Sequence, residues 1–161
     1  MPKYLRIPFI VAAVLWMALI FSFSMETAAE SSGSSDGFIR TFLSFIDDDF
    51  ESLSPEAQTE TVESLSHLVR KTAHFCIFGM LGILVSSAIS TYNLAPRRTL
   101  LCSVSLCALY AVSDEVHQFF VPGRACMIRD MLLDTCGALC GVLFVMLVLH
   151  LVSKHRNKRR L

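Results

Sequence analysis

The sequence predicts an all-α protein that crosses a membrane four times, on three observations. Apolar residues make up 53% of the 161-residue chain and charged residues only 17%, and the mean hydropathy is +0.55. Four stretches are apolar over the roughly 20 residues that a helix needs to cross a bilayer core of about 30 Å. Basic residues gather between these stretches and at the two ends of the chain. We therefore expect one membrane domain over residues 1–161, built as a four-helix bundle.

The four predicted spans lie at residues 7–23, 72–92, 99–120 and 131–151. The first span follows Lys3 and Arg6, so it also fits a signal peptide cleaved at a small-residue site near Ala29. Its apolar run is longer than the usual core of a signal peptide and includes Trp16. We predict that it is retained as a helix.

Lysine and arginine in the short connections predict the orientation, because they stay in the cytoplasm. They precede the first span, separate the second from the third at Arg97 and Arg98, and fill the tail at residues 152–161. Both termini should therefore be cytoplasmic. Residues 24–71 are the opposite in character, since residues 24–66 hold ten acidic residues against Arg40 alone. We expect this segment to form an extracytoplasmic loop between the first two spans.

Within this loop, residues 31–37 have the composition of a flexible linker. Apolar residues then recur at helical spacing, at Phe38, Phe42, Phe45 and Ile46. This pattern predicts a short amphipathic helix, either on the membrane surface or packed as a lid on the bundle. Ser54 and Pro55 form a helix start. The apolar stripe after them predicts a helix that enters the second span without a break.

Small residues and cysteines in the spans favour packing roles. Gly137 and Gly141 have the spacing that lets two helices approach closely, and a homo-oligomer is one use of that surface. Five of the six cysteines lie in apolar runs, where a thiol behaves as a small hydrophobe. Only Cys126 lies in a polar loop.

Charged residues inside the predicted spans are the strongest functional signal. A charge in hydrocarbon costs about 2.5–3.5 kcal/mol, so such residues pair with one another or line a wet cavity. Asp114 lies about 22 Å along its helix, within the apolar core. His74 and Asp134 lie at the same level of the other two helices, and a tight turn at residues 121–124 should bring Arg124 over them.

Spacings of three and four residues place further polar groups on the same helix faces. The predicted binding cluster comprises Arg70, Lys71, His74, Asp114, Glu115, His117, Gln118, Arg124, Asp130 and Asp134.

Three interpretations of this cluster remain open. In the first, Lys71 and Arg124 only neutralise Asp114 and Asp134 and so lock the helices together. In the second, the cluster binds an anionic headgroup or performs acid–base chemistry on it.

The candidate catalytic residues for such chemistry are His74, His117, Asp114 and Glu115. In the third interpretation His74, Asp114, His117 and Asp134 bind a metal. The neighbouring Lys71 and Arg124 would repel a cation, so we expect neither a metal nor another cofactor.

Three segments form one long pattern: RKTAHF at residues 70–75, DEVHQFFVPGR at 114–124 and DMLLDTCG at 130–137. At these residues, and over residues 10–145 as a whole, the chain resembles the VanZ-like family. Cys126 and Met127 depart from that pattern outside its charged positions. The resemblance implies a bacterial cytoplasmic-membrane protein linked to resistance to teicoplanin, a lipid-tailed glycopeptide.

The resemblance and the cluster together give three functional expectations. The first is an envelope protein whose outward-facing pocket engages a lipid-linked or phosphate-bearing component. The second is a membrane hydrolase or transferase acting on a phosphate-bearing lipid, and the third is a non-catalytic partner in an envelope complex. The expected partners are membrane lipids or lipid-linked intermediates, and nucleic acid is not among them.

Overall fold

The computed structural model describes residues 2–47 and 49–158, and the regular structure in this part of the chain is helical. Its helices are α1 (Arg6–Ser24), α2 (Ala28–Ile46), α3 (Pro55–Ser90), α4 (Pro96–Gln118) and α5 (Ile128–Lys158), with one-turn 3-10 helices at Lys3–Leu5 and Phe50–Ser52. α1, α3, α4 and α5 each contain a stretch long and apolar enough to cross a membrane. The predicted all-α, four-span class is confirmed. Met1, Asp48, Arg159, Arg160 and Leu161 lie outside the described residues.

The start of α3 agrees with the sequence pattern. The Ser54 hydroxyl accepts a hydrogen bond from the backbone N–H of Ala57 at 3.3 Å, and Pro55 occupies the first helical turn. From there α3 runs unbroken for 36 residues, or about 54 Å at 1.5 Å per residue. A bilayer core needs only about 30 Å of this length. The first turns of α3 therefore project from one end of the bundle, which we call the α2 end.

The expectation of a flexible linker at residues 31–37 is wrong, because these residues form part of α2. Thr27 and Glu30 start the helix with a capping box, in which each side chain bonds to the other residue's backbone N–H. The hydrogen bond from the Thr27 backbone holds the pKa of Glu30 below its usual range. The Ser35 hydroxyl bonds back to the Ser31 carbonyl at 3.0 Å, so it does not compete with the helix.

Contacts with α3 explain why a serine- and glycine-rich segment is helical here. Asp36 accepts a hydrogen bond from Ser66, and Ile39 is buried against Val62. Of the two placements predicted for the amphipathic helix, the structure shows packing on a bundle helix. The aromatic residues Phe38, Phe42 and Phe45 of α2 nevertheless stay exposed.

α3 and α5 run in the same direction and form the closest helix pair. A Cβ atom built on Gly137 would overlap the backbone of Phe75, and one on Gly141 would overlap that of Gly79. Gly82 faces Ala138 in the same manner. Gly137 and Gly141, which the sequence suggested as a contact surface for a second copy, therefore pack against α3 of the same chain.

Two side chains fasten the remaining helices by bonding to backbone carbonyls. The Trp16 indole N–H donates to the Ile77 carbonyl at 2.9 Å, which joins α1 to α3. The Tyr110 hydroxyl donates to the Met17 carbonyl at 2.6 Å, which joins α4 to α1. All six cysteines are free. Cys107 is buried in the core, as its apolar run predicts, whereas the other five are exposed.

Candidate functional site

A polar cleft of about 240 Å³ opens at the α2 end of the bundle. It lies between α3, the first residues of α2, and the connection from α4 to α5. Its lining residues are Ala28, Ser31, His67, Arg70, Lys71, His74, Gln118, Gly123, Arg124, Ala125, Met127 and Asp130. Six of the ten predicted binding residues line this cleft: Arg70, Lys71, His74, Gln118, Arg124 and Asp130.

The charges that line the cleft do not balance. Lys71 forms an ion pair with Asp130, the one carboxylate in the lining. Arg70 donates to the Ser32 hydroxyl at 3.0 Å, and Arg124 donates to the Gln118 side-chain carbonyl at 3.2 Å. Among the described residues, no carboxylate lies within ion-pairing distance of either guanidinium. The two guanidiniums that line the cleft therefore have no direct ion-pair partner in the described part of the chain.

A turn holds Arg124 over the cleft, as the sequence predicts. The backbone N–H of Arg124 donates to the Val121 carbonyl at 3.1 Å, which closes a four-residue turn. Pro122 and Gly123 occupy its two central positions, and Gly123 has a φ of 78°. A type II turn needs a positive φ at its third residue, which glycine adopts without strain.

A buried chain of hydrogen bonds fixes the direction of the Arg124 side chain. Asp114, only 2% exposed, accepts from the Ser24 hydroxyl at 2.8 Å and from the Gln118 amide nitrogen at 3.0 Å. Because Gln118 donates to Asp114, its oxygen is left to accept from Arg124. The expected direct pairing of Asp114 with Lys71 or Arg124 is therefore wrong. The glutamine stands between the acid and the arginine.

His74 and Asp134 form a second pair below the cleft, with 3.6 Å between His74 Nδ1 and Asp134 Oδ1. Asp134 is fully buried. The interpretation that Lys71 or Arg124 neutralises Asp134 is also wrong, since Lys71 reaches Asp130 one turn earlier on α5. The Lys71–Asp130 and His74–Asp134 pairs follow the same register between α3 and α5 as the glycine contacts, toward the α2 end of the bundle.

Glu115 and His117 lie outside the cleft lining. Glu115 is buried and accepts from the backbone N–H of Met127 at 2.9 Å, so it holds the connection to α5 in place. The His117 ring packs against the Phe21 ring with 4.3 Å between their centroids.

Of the four metal ligands in the third interpretation, only His74 and Asp134 are paired in the structure. Across residues 2–47 and 49–158, no group of three or more His, Cys, Asp or Glu side chains could hold a metal ion.

Four polar residues of this region were missed from the sequence. His67 and Ser31 line the cleft, Ser32 bonds to Arg70, and Ser24 bonds to Asp114. His67 is one helical turn before Lys71, so the spacing of α3 could have included it. No spacing rule connects Ser24 or Ser31 to the cluster, because they lie on other helices.

The fold and the cleft define a polytopic α-helical membrane protein with a pocket at one end of its bundle that is lined by three basic residues and one carboxylate. The sequence model described as VanZ/LLP1 matches residues 9–149, and the chain belongs to this VanZ-like family. No curated protein and no solved structure matches the chain.

Proposed function

We propose that the cleft binds the anionic headgroup of a lipid-linked or phosphate-bearing component of the bacterial cell envelope. In this proposal both termini are cytoplasmic and the cleft faces away from the cytoplasm, as the distribution of lysine and arginine favours. The chain then acts at the outer side of the plasma membrane. Through its family, the proposed physiological effect is on susceptibility to teicoplanin.

The unpaired Arg124 carries this proposal. Arg124 is half-buried and has no ion-pair partner, and its buried Nε has no hydrogen-bond partner in the described part of the chain. A planar guanidinium donates two parallel bonds to a phosphate or carboxylate group. Gln118 holds Arg124 in position before any ligand arrives, which lowers the entropy lost on binding.

A second candidate function is hydrolysis or transfer at a phosphate group, and the His74–Asp134 pair favours it. The buried Asp134 carboxylate lies 3.6 Å from His74 Nδ1, and closing this distance to that of a hydrogen bond would orient the ring as a general base. In hydrolysis, His74 would take a proton from a water whose oxygen bonds to phosphorus. The bond from phosphorus to the lipid oxygen breaks, and the proton passes to that oxygen.

Binding is tested with the purified protein in phosphatidylcholine nanodiscs, by measuring thermal stability with inorganic phosphate or with added phosphatidic acid. A ligand at 100 times its Kd raises the free energy of unfolding by about 2.7 kcal/mol. We expect stabilisation by at least one phosphate source, and its loss in Arg124→Gln. Arg129→Gln is the matched control, since Arg129 is exposed and absent from the cleft lining. No stabilisation by either source would refute anion binding.

Catalysis is tested separately, by following release of phosphate from phosphatidic acid and from a polyprenyl phosphate. Turnover that disappears in His74→Gln and persists in His117→Gln would establish the second function, because His74 lines the cleft and His117 does not. Anion binding without turnover supports the first function. In cells, Arg124→Gln should alter teicoplanin susceptibility at normal membrane abundance. Unchanged susceptibility would indicate that the cluster only holds the helices together.

A further inference from the structure

A small crevice adjoins the polar cleft on the side of α1. Its volume is about 30 Å³, and its walls are Ile20, Phe23, Ser24, His74, Ile77 and Phe78. His74 also lines the cleft, so the two spaces adjoin at this side chain.

The crevice differs from the cleft in its chemistry. Apart from Ser24 and His74, its walls are aliphatic or aromatic, whereas guanidinium and ammonium groups line the cleft. Ile20 and Phe78 are buried and close its inner end, while Phe23 is 47% exposed at its outer edge. The cationic cleft and the apolar crevice therefore meet at His74, on the side of the bundle formed by α1 and α3.

α1 is the helix that borders the membrane most fully. Of the most apolar 18-residue stretch of this helix, only 17% is buried inside the protein, compared with 28–39% for the corresponding stretches of the other three spans. The outer surface of α1 is therefore one that lipid chains contact in the membrane.

We propose, resting on the anion-binding function above, that the ligand is a phosphate joined directly to a hydrocarbon chain. Its phosphate binds in the cleft beside Arg124, and the first carbons of its chain pass His74 into the crevice. The crevice volume equals about the share of liquid volume of one water. It therefore holds only the start of the chain, and the rest lies along the outer surface of α1 and α3.

This arrangement distinguishes a free phosphate from a lipid phosphate as the ligand. A free phosphate needs only the cationic cleft. A lipid phosphate needs a cationic site and an apolar exit next to each other, and His74 is the point where the structure provides both.

Photocrosslinking tests the proposal on the full chain in phosphatidylcholine nanodiscs. The probe is dodecyl phosphate with a diazirine on the third carbon, and the matched neutral probe is dodecanol with the same group. The readout is labelling of peptides containing Phe23 or Ile77, divided by labelling around Leu132, an exposed residue of α5. We expect this ratio to be at least about fivefold higher for the phosphate probe, because a bound phosphate holds the third carbon at the crevice.

Two variants strengthen the test. Ile77→Phe fills the crevice and should remove the enrichment. Leu132→Phe makes the same kind of change on the exposed surface of α5 and should retain it. The wild-type ratio decides the question even if Ile77→Phe fails to fold.

Equal ratios for the two probes would overturn the inference. If inorganic phosphate still stabilises the protein in that case, anion binding stands and the chain exit does not exist. If neither phosphate source stabilises the protein, the anion-binding function itself fails.

Discussion

Glycine-to-alanine substitutions in the α3/α5 contact should have opposite effects at neighbouring positions. A Cβ atom on Gly79 would find its nearest atom, the Gly137 carbonyl oxygen, at an ordinary 3.4 Å. A Cβ atom on Gly141 would overlap the Gly79 carbonyl and lie 3.0 Å from Ile83 N. Gly79→Ala therefore fits the existing contact, whereas Gly141→Ala forces the two backbones apart.

The magnitudes follow from two competing contributions to the free energy of unfolding. Alanine is favoured over glycine within a helix by about 1 kcal/mol. Overpacking a tight contact costs about 1–3 kcal/mol, and a contact with rigid backbone lies toward the upper end of that range. We therefore expect Gly79→Ala to be neutral or up to about 1 kcal/mol more stable. Gly141→Ala should be about 1–2 kcal/mol less stable.

SDS titration in mixed micelles measures this difference, with fluorescence of Trp16 as the reporter. Trp16 is the only tryptophan in the chain, and its indole bonds to the Ile77 carbonyl of α3. Separation of α1 from α3 should therefore change its emission. Gly33→Ala is a control, since a Cβ atom there meets nothing within 4 Å. Equal midpoints for Gly79→Ala and Gly141→Ala would refute the proposed close approach of α3 and α5.

Three further predictions use the same protein. Lys71→Met and Asp130→Asn should each lower the free energy of unfolding, and the double variant should lose about 1 kcal/mol less than the sum of the two single losses. The coupling is this small because the two side chains are 31% and 22% exposed, so solvent screens their charges. Simple addition of the two losses in SDS titration would exclude a stabilising pair. Cys126 should be the only cysteine that a membrane-impermeant thiol reagent labels from outside cells, so labelling that survives Cys126→Ser would move the span boundaries. A reporter fused after Leu161 should be active in the cytoplasm and one inserted at Phe50–Ser52 outside it, and a reversed pattern would refute the orientation.

The sequence alone determined the features that depend on local interactions or on hydropathy. Four apolar stretches of sufficient length gave four spans, and Ser54 with Pro55 gave the start of α3. Pro122 and Gly123 gave the turn that carries Arg124, because one fixes φ and the other adopts a positive φ. Charges at matching depths placed the polar cluster at one end of the bundle.

Tertiary structure decided which polar groups meet. Spacings of three and four residues show which side chains share a helix face, but the rotation and register of two packed helices decide their partners. The glycines of α3 and α5 set that register, and it places Lys71 beside Asp130 and His74 beside Asp134. The pairing predicted from the sequence was different, because the sequence does not show which two helices approach most closely or in which register.

Only tertiary structure decided the conformation of residues 31–37. Their serine- and glycine-rich composition has little preference for helix, since serine bonds to nearby backbone and glycine loses the most chain entropy. Asp36 and Ser32 bond to side chains of α3, and Ile39 is buried against the same helix. These contacts join residues about 30 positions or more apart in the chain. Helix in this segment depends on α3, because interactions between distant residues outweigh a weak local preference.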